Sequence, residues 1–142
     1  GEVHIYSENM IDGQVLNNKP VHLKLQIINE HRLSGVLEIA GIIRDKNRTY
    51  ISYFGSRLTQ TRLIIPSNQR SFGVEVIFDV LPFIQGQYFL GLELILDTER
   101  EKKLMYFRDE AVAFNISEVD FYKSGDNWSK GVIRLKHTFA IC

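Results

Sequence analysis

Hydrophobic and polar residues alternate at period two along most of this chain, the pattern of strands with one buried face. Pro20 precedes a run with Val21, Leu23, Leu25 and Ile27 on one side and His22, Lys24 and Gln26 on the other. Residues 36–44 form the next run, closed by the turn-forming triplet Asp45-Lys46-Asn47, and 48–54 is the return arm of that hairpin. Phe72, Val74, Val76, Phe78 and Val80 alternate with Ser71, Gly73, Glu75 and Asp79. Tyr88, Leu90, Leu92, Leu94 and Leu96 alternate with Phe89, Gly91, Glu93 and Ile95, and Val112, Phe114 and Ile116 with Ala113, Asn115 and Ser117. Residues 3–6 and 132–136 complete about eight strands, and no helix is predicted.

Strands at this spacing with short turns read as an all-β fold, an antiparallel β-sandwich. The segment from Leu81-Pro82 to Gly86-Gln87-Tyr88 sharpens this to an immunoglobulin-like version. Its Gly-x-Tyr opens a long strand where a tyrosine corner sits, the phenol bonding back to loop backbone. The charged run 97–103 reads as a solvated hairpin tip. The last strand, 131–137, stands alone behind a polar linker, 120–130. Those eleven linker residues span roughly 35 Å at about 3.3 Å each. The strand can therefore pair within its own chain or be exchanged with a second copy.

Composition narrows the functional classes. At 142 residues, 44% hydrophobic and 24% charged, residues 1–142 form a single domain with its own core. Seventeen basic residues balance 17 acidic ones, so a nucleic-acid partner is not expected. No apolar run approaches 18 residues, and no direct membrane insertion is expected. The opening residues lack the basic start and apolar stretch of a signal peptide. The one cysteine, Cys142, cannot close an internal disulfide, which suits a reducing compartment. A chain opening on Gly1 without Met is expected to be a piece of a longer protein, whose remainder holds any catalytic function.

Enzyme motifs are largely missing: no phosphate-binding loop, no Gly-x-Gly-x-x-Gly and no His-Glu-x-x-His. His4, His22, His31 and His137 lack metal-ligand spacing, so neither a metal nor a cofactor is expected. Glu38 and Glu93 share the outward parity of two strands that become neighbours in one sheet. Two carboxylates on an open face can act as the acid and base of a glycosidase, accept hydrogen bonds from sugar hydroxyls, or simply carry surface charge. The same face carries Val36, Ala40, Ile42, Phe89, Gly91 and Ile95, more apolar area than bulk water tolerates without a partner or ligand. Gly91 leaves a shallow floor between Phe89 and Glu93. Arg44, Tyr50, Tyr53 and Arg57 border the face if the hairpin register holds. Aromatic rings lie against the C–H faces of sugars while polar groups reach their hydroxyls, and these residues supply both. The other reading is that a second subunit covers the face. Trp128, in the linker, is either a stacking platform or an anchor for the linker.

The terminal strand Gly131-Val-Ile-Arg-Leu-Lys-His-Thr-Phe139, the corner from Leu81-Pro82 to Tyr88 and Phe114-Asn115-Ile116 together resemble one family. They are similar to the C-terminal domain of Wzt-type ATP-binding subunits, from ABC exporters of bacterial O-antigen polysaccharide. Where that family commonly has Trp and Pro, this chain has Phe139 and Lys136. The resemblance implies a non-catalytic carbohydrate-binding domain that recognises the terminus of the polysaccharide. It also implies a homodimer by strand exchange, a cytoplasmic location at the inner membrane, and contact with the exporter's membrane subunit through the parent protein. The family's ATPase chemistry is not carried over, since the chain has no phosphate loop. The expected carbohydrate contacts rest on strand parity: Glu38, Arg44, Tyr50, Tyr53, Arg57, Phe89, Glu93 and Trp128. The alternative is a sandwich that serves protein interaction or dimerisation without binding a glycan.

Overall fold

A computed structural model describes residues 2–8, 10–11, 13–15, 19–65, 68–79, 81–116 and 139–141. The linker 120–130, the strand 131–137 and Trp128 lie outside the described residues. Ten strands form two sheets of a sandwich, with no helix among the described residues. The smaller sheet orders β1 (Glu2–Glu8), β4 (Val21–Ile28) and β8 (Ser71–Phe78), all antiparallel. The larger runs β2 (Met10–Ile11), β3 (Gln14–Val15), β10 (Lys102–Ile116), β9 (Gly86–Asp97), β5 (Val36–Asp45) and β6 (Tyr50–Gly55). A short β7 (Leu63–Ile64) pairs with the start of β5.

Period-two alternation decides which side chains meet. Val21 of β4 is buried, and Leu23, Leu25 and Ile27 form one core with Leu37, Ile39 and Ile43 of β5 and Leu90, Leu92, Leu94 and Leu96 of β9. Burying such side chains contributes about 1.5–3 kcal/mol each, so this layer dominates the stability of the fold. Phe54 of β6 lies over Gly41 and meets Phe78 edge-on at 5.0 Å, joining the two sheets along one side. Asn29 is the one buried polar side chain among the described residues. Its amide donates to the Leu33 carbonyl (2.8 Å) and its oxygen accepts from the Leu33 N–H (3.1 Å), which closes the loop after β4.

The tyrosine corner forms as the sequence indicates. The Tyr88 hydroxyl donates to the Ile84 carbonyl at 2.8 Å, and its ring packs between Phe83 and Phe114. Tyr88→Phe keeps the ring contacts and removes the hydrogen bond. It should cost about 1 kcal/mol and lower Tm by roughly 3–5 °C, which differential scanning calorimetry measures; an unchanged Tm would show that the bond adds nothing.

The hairpin turns also follow the sequence. Asp45 accepts from the N–H groups of Asn47 (2.8 Å) and Thr49 (2.9 Å), with Arg48 in the left-handed region at φ 64°. At the 97–103 tip the Thr98 hydroxyl accepts from the Glu101 N–H at 3.0 Å. The return arm begins at Tyr50 rather than at residue 48, because the turn absorbs Arg48 and Thr49. The last described strand is far longer than the sequence pattern suggests, starting at Lys102 instead of 112. Two register shifts, between Leu104 and Tyr106 and between Arg108 and Val112, break its alternation.

The outer faces of the two sheets differ. On the small sheet Lys24 pairs with Glu8, His22 with Glu75, and Gln26 with Ser71, giving a mostly polar surface that also exposes Tyr6 and Ile77. The Lys24 ammonium holds the Glu8 carboxyl below its ordinary range. The outer face of the large sheet is instead lined by apolar and aromatic groups.

Candidate functional site

The register of β5 on β9 builds that outer face row by row. Glu38 stands opposite Ile95, Ala40 opposite Glu93, Ile42 opposite Gly91, and Arg44 opposite Phe89. Every parity expected for these two strands is therefore the one observed. Glu38 and Glu93 are diagonal neighbours, a relation that sets the two residues roughly 7–8 Å apart, their Cβ atoms somewhat less. β6 adds Tyr53 opposite Ile42 and Tyr50 opposite Arg44, with a register shift between them. Both tyrosines are 70% exposed.

Glu38, Tyr53, Arg57 and Glu93 line one groove of about 360 Å³, with Ala40, Ile42, Leu58 and Ile95 as its apolar walls. Glu38 is engaged at one end, where the Lys102 ammonium lies 3.5 Å from its carboxylate. Glu93 is half-buried and makes no ion pair or hydrogen bond with the described residues. The exposed Arg57 guanidinium is likewise free among the described residues. A free acceptor, a free cation and an exposed ring thus meet over an apolar floor. This set can receive a ligand that has both C–H surface and hydroxyl donors.

The other expected contacts fall outside the groove. The Arg44 guanidinium lies 4.9 Å from the centroid of the Tyr50 ring and 3.9 Å from the Asp109 carboxylate. The Phe89 ring is half-buried under Arg48, whose Cζ stands 5.9 Å from its centroid. Arg48 also pairs with Glu110. Reaching from the β5–β6 turn to Glu110 of β10, Arg48 crosses the intervening strand β9. Gly91 is not an open floor. A Cβ at this position would lie 2.7 Å from the Asp109 carbonyl oxygen, so the irregular segment of β10 already covers it.

Sequence reasoning missed Arg48, Lys102, Leu104, Phe107, Asp109 and Glu110, which complete the face. Leu104 and Phe107 are 58% and 55% exposed beside the groove, opposite Ile95 and Glu93. A strand beginning at Lys102 was the signal needed, and the interrupted alternation of β10 hid it. Among the described residues no group of three or more His, Cys, Asp or Glu is placed to hold a metal ion. No described helix is long and apolar enough to cross a membrane.

Fold and face together define an all-β sandwich with one mostly polar sheet surface and one grooved surface of mixed apolar and charged groups. No protein-family model and no curated protein matches the chain. Among solved structures, the C-terminal domain of Wzt matches with a TM-score of 0.69 and 13% identity, covering 99% of this chain and 81% of that one. The chain therefore shares the fold of that domain over nearly its whole length. A beta-glucuronidase from glycoside hydrolase family 2 gives a TM-score of 0.40 at 16% identity, over 75% of this chain and 10% of that one. That similarity is too slight to bear on fold or function.

Proposed function

We propose that this domain is a non-catalytic carbohydrate-binding module that recognises the terminus of an O-antigen polysaccharide for export by an ABC transporter. The observation that carries this reading is the groove holding Glu38, Tyr53, Arg57 and Glu93 on a fold shared with the Wzt C-terminal domain. An aromatic rim over an apolar floor suits the C–H face of a sugar, and the free Glu93 carboxylate suits its vicinal hydroxyls. Glu38, held by Lys102, supports a ligand-contacting role over that of a general acid. On this reading the module works in the cytoplasm, within a parent protein that engages the exporter's membrane subunit, as a homodimer that exchanges its last strand.

Calorimetric titration with the O-polysaccharide of the source strain tests the reading. Saturable binding that disappears when the non-reducing end is trimmed is the expected result, and absence of binding at millimolar sugar would overturn it. A second reading, a protein-interaction module, is favoured by one observation, the exposed Leu104 and Phe107 beside the groove. In that case the protein self-associates through this face, and Phe107→Asp abolishes the association in light scattering.

A further inference from the structure

The outer face of the large sheet is not one continuous surface. Arg48 reaches over Phe89 to Glu110, and Arg44 lies within ion-pair reach of Asp109, so two charge pairs form a ridge across β9. The groove with Glu93 lies on one side of this ridge. On the other side a second, larger cavity of about 700 Å³ opens at the end of the sheet. Four side-chain amides line it: Asn47 from the β5–β6 turn, Gln85 and Gln87 at the start of β9, and Asn115 on β10. Gln87 and Asn115 are directly opposed across the strand pair. All four residues are exposed, and none of their amide groups is committed to a partner among the described residues. Ile51 and Ile84 supply apolar wall, and two charged residues, Lys46 and Asp45, also line the cavity, the Asp45 carboxylate accepting from the Asn47 and Thr49 N–H groups.

We infer that this amide-lined cavity, at the end of the sandwich next to that face, is a second glycan subsite, so that the domain reads an oligosaccharide rather than one terminal sugar. The inference rests on the carbohydrate-binding reading proposed above and extends it. Its chemistry differs from that of the first groove. A side-chain amide carries donors and an acceptor together, without net charge. Such a set fits hydroxyl or N-acetyl groups of a sugar, where the carboxylate of the first groove accepts hydroxyl protons only. Glu93 and Gln87 are six positions apart on β9, roughly 20 Å at about 3.4 Å per residue. A single sugar ring does not span that distance, whereas a short chain of them does. The ridge then touches the glycan between its two ends, and the exposed edge of Arg48 is its natural contact there.

Two fragments of the source strain's O-polysaccharide, both retaining the non-reducing end, provide the test. One is a single repeat unit and the other is several units long. Titrated into the intact protein, the long fragment should bind at least tenfold more tightly than the short one. The double variant Gln87→Ala/Asn115→Ala, at exposed positions whose side chains have no partner among the described residues, should keep its Tm. It should also bind the long fragment no better than the short, with short-fragment affinity unchanged. Asn47→Ala/Gln85→Ala, on the opposite wall, gives the same result by an independent route. Undiminished long-fragment binding in both double variants would overturn the second subsite and leave the first groove standing. Failure of the wild-type protein to bind either fragment would overturn both readings together.

Discussion

Gly91→Ala should destabilise the domain by roughly 2–3 kcal/mol, although it adds a single methyl group to a strand. The added Cβ would stand 2.7 Å from the Asp109 carbonyl oxygen and 3.3 Å from its carbon. Both are backbone atoms, so no rotamer change relieves the clash. β9 lies between β5 and β10 and is hydrogen-bonded on both sides, so it cannot retreat. The segment Asp109–Ala111 must lift instead, and it takes Asp109 and Glu110 away from Arg44 and Arg48. Gly73→Ala is the matched control. Its Cβ would make only ordinary contacts, with the Gln26 side chain at 3.6 Å and the Leu25 carbonyl oxygen at 3.9 Å. There the substitution should be neutral or slightly stabilising, because alanine loses less backbone entropy than glycine on folding. Chemical denaturation of the two variants beside the wild type measures the difference. Equal midpoints for Gly91→Ala and Gly73→Ala would show that the irregular segment of β10 does not rest on Gly91.

The contrast between these glycines also shows what the sequence made legible. Period-two alternation located β4, β5, β8 and β9, and since side chains alternate wherever a strand is regular, it assigned residues 36–44 and 88–96 to the correct faces. The pair Glu38 and Glu93 was recovered from parity alone, as was the tyrosine corner from Gly-x-Tyr. β10 was truncated because parity fails at its two register shifts. A strand that places Asp109 to Ala111 opposite the single residue Gly91 reads as a charged loop, Arg108-Asp-Glu110, until its partner is known. The same irregularity explains why Gly91 looked like an open floor and why the ion-pair ridge was not foreseen. Arg48 and Glu110 are 62 positions apart, and only the pairing of β5, β9 and β10 brings them together. Long-range side-chain pairing of this kind has no local signal.

Glu93→Gln is expected to weaken glycan binding by ten- to a hundredfold while leaving stability unchanged or slightly improved. The half-buried carboxylate stands opposite Ala40 on one side and Phe107 on the other, with Glu38 on the diagonal. Since no described residue neutralises it, and Lys102 already pairs with Glu38, the charge of Glu93 gains no partner on folding while it is partly withdrawn from water. Glutamine has the same shape and carries no charge to desolvate, so Tm should hold or rise by a degree or two. The same exchange replaces charge-assisted hydrogen bonds to sugar hydroxyls with neutral ones. A hydrogen bond to a charged group contributes about 1.5–3 kcal/mol and a neutral one about 0.5–1.5, so exchanging one or two of them loses about 1–3 kcal/mol, which corresponds to the expected loss of affinity. Opposite signs for stability and binding distinguish a ligand-contacting carboxylate from a structural one, for which both would fall. They also separate the two readings of the face. If it is a protein interface, Glu93→Gln makes it more apolar and should tighten self-association in light scattering, with no glycan binding to lose. Calorimetry with the O-polysaccharide and a thermal melt on the same preparation decide between them, and a lowered Tm together with intact glycan binding would remove Glu93 from the site.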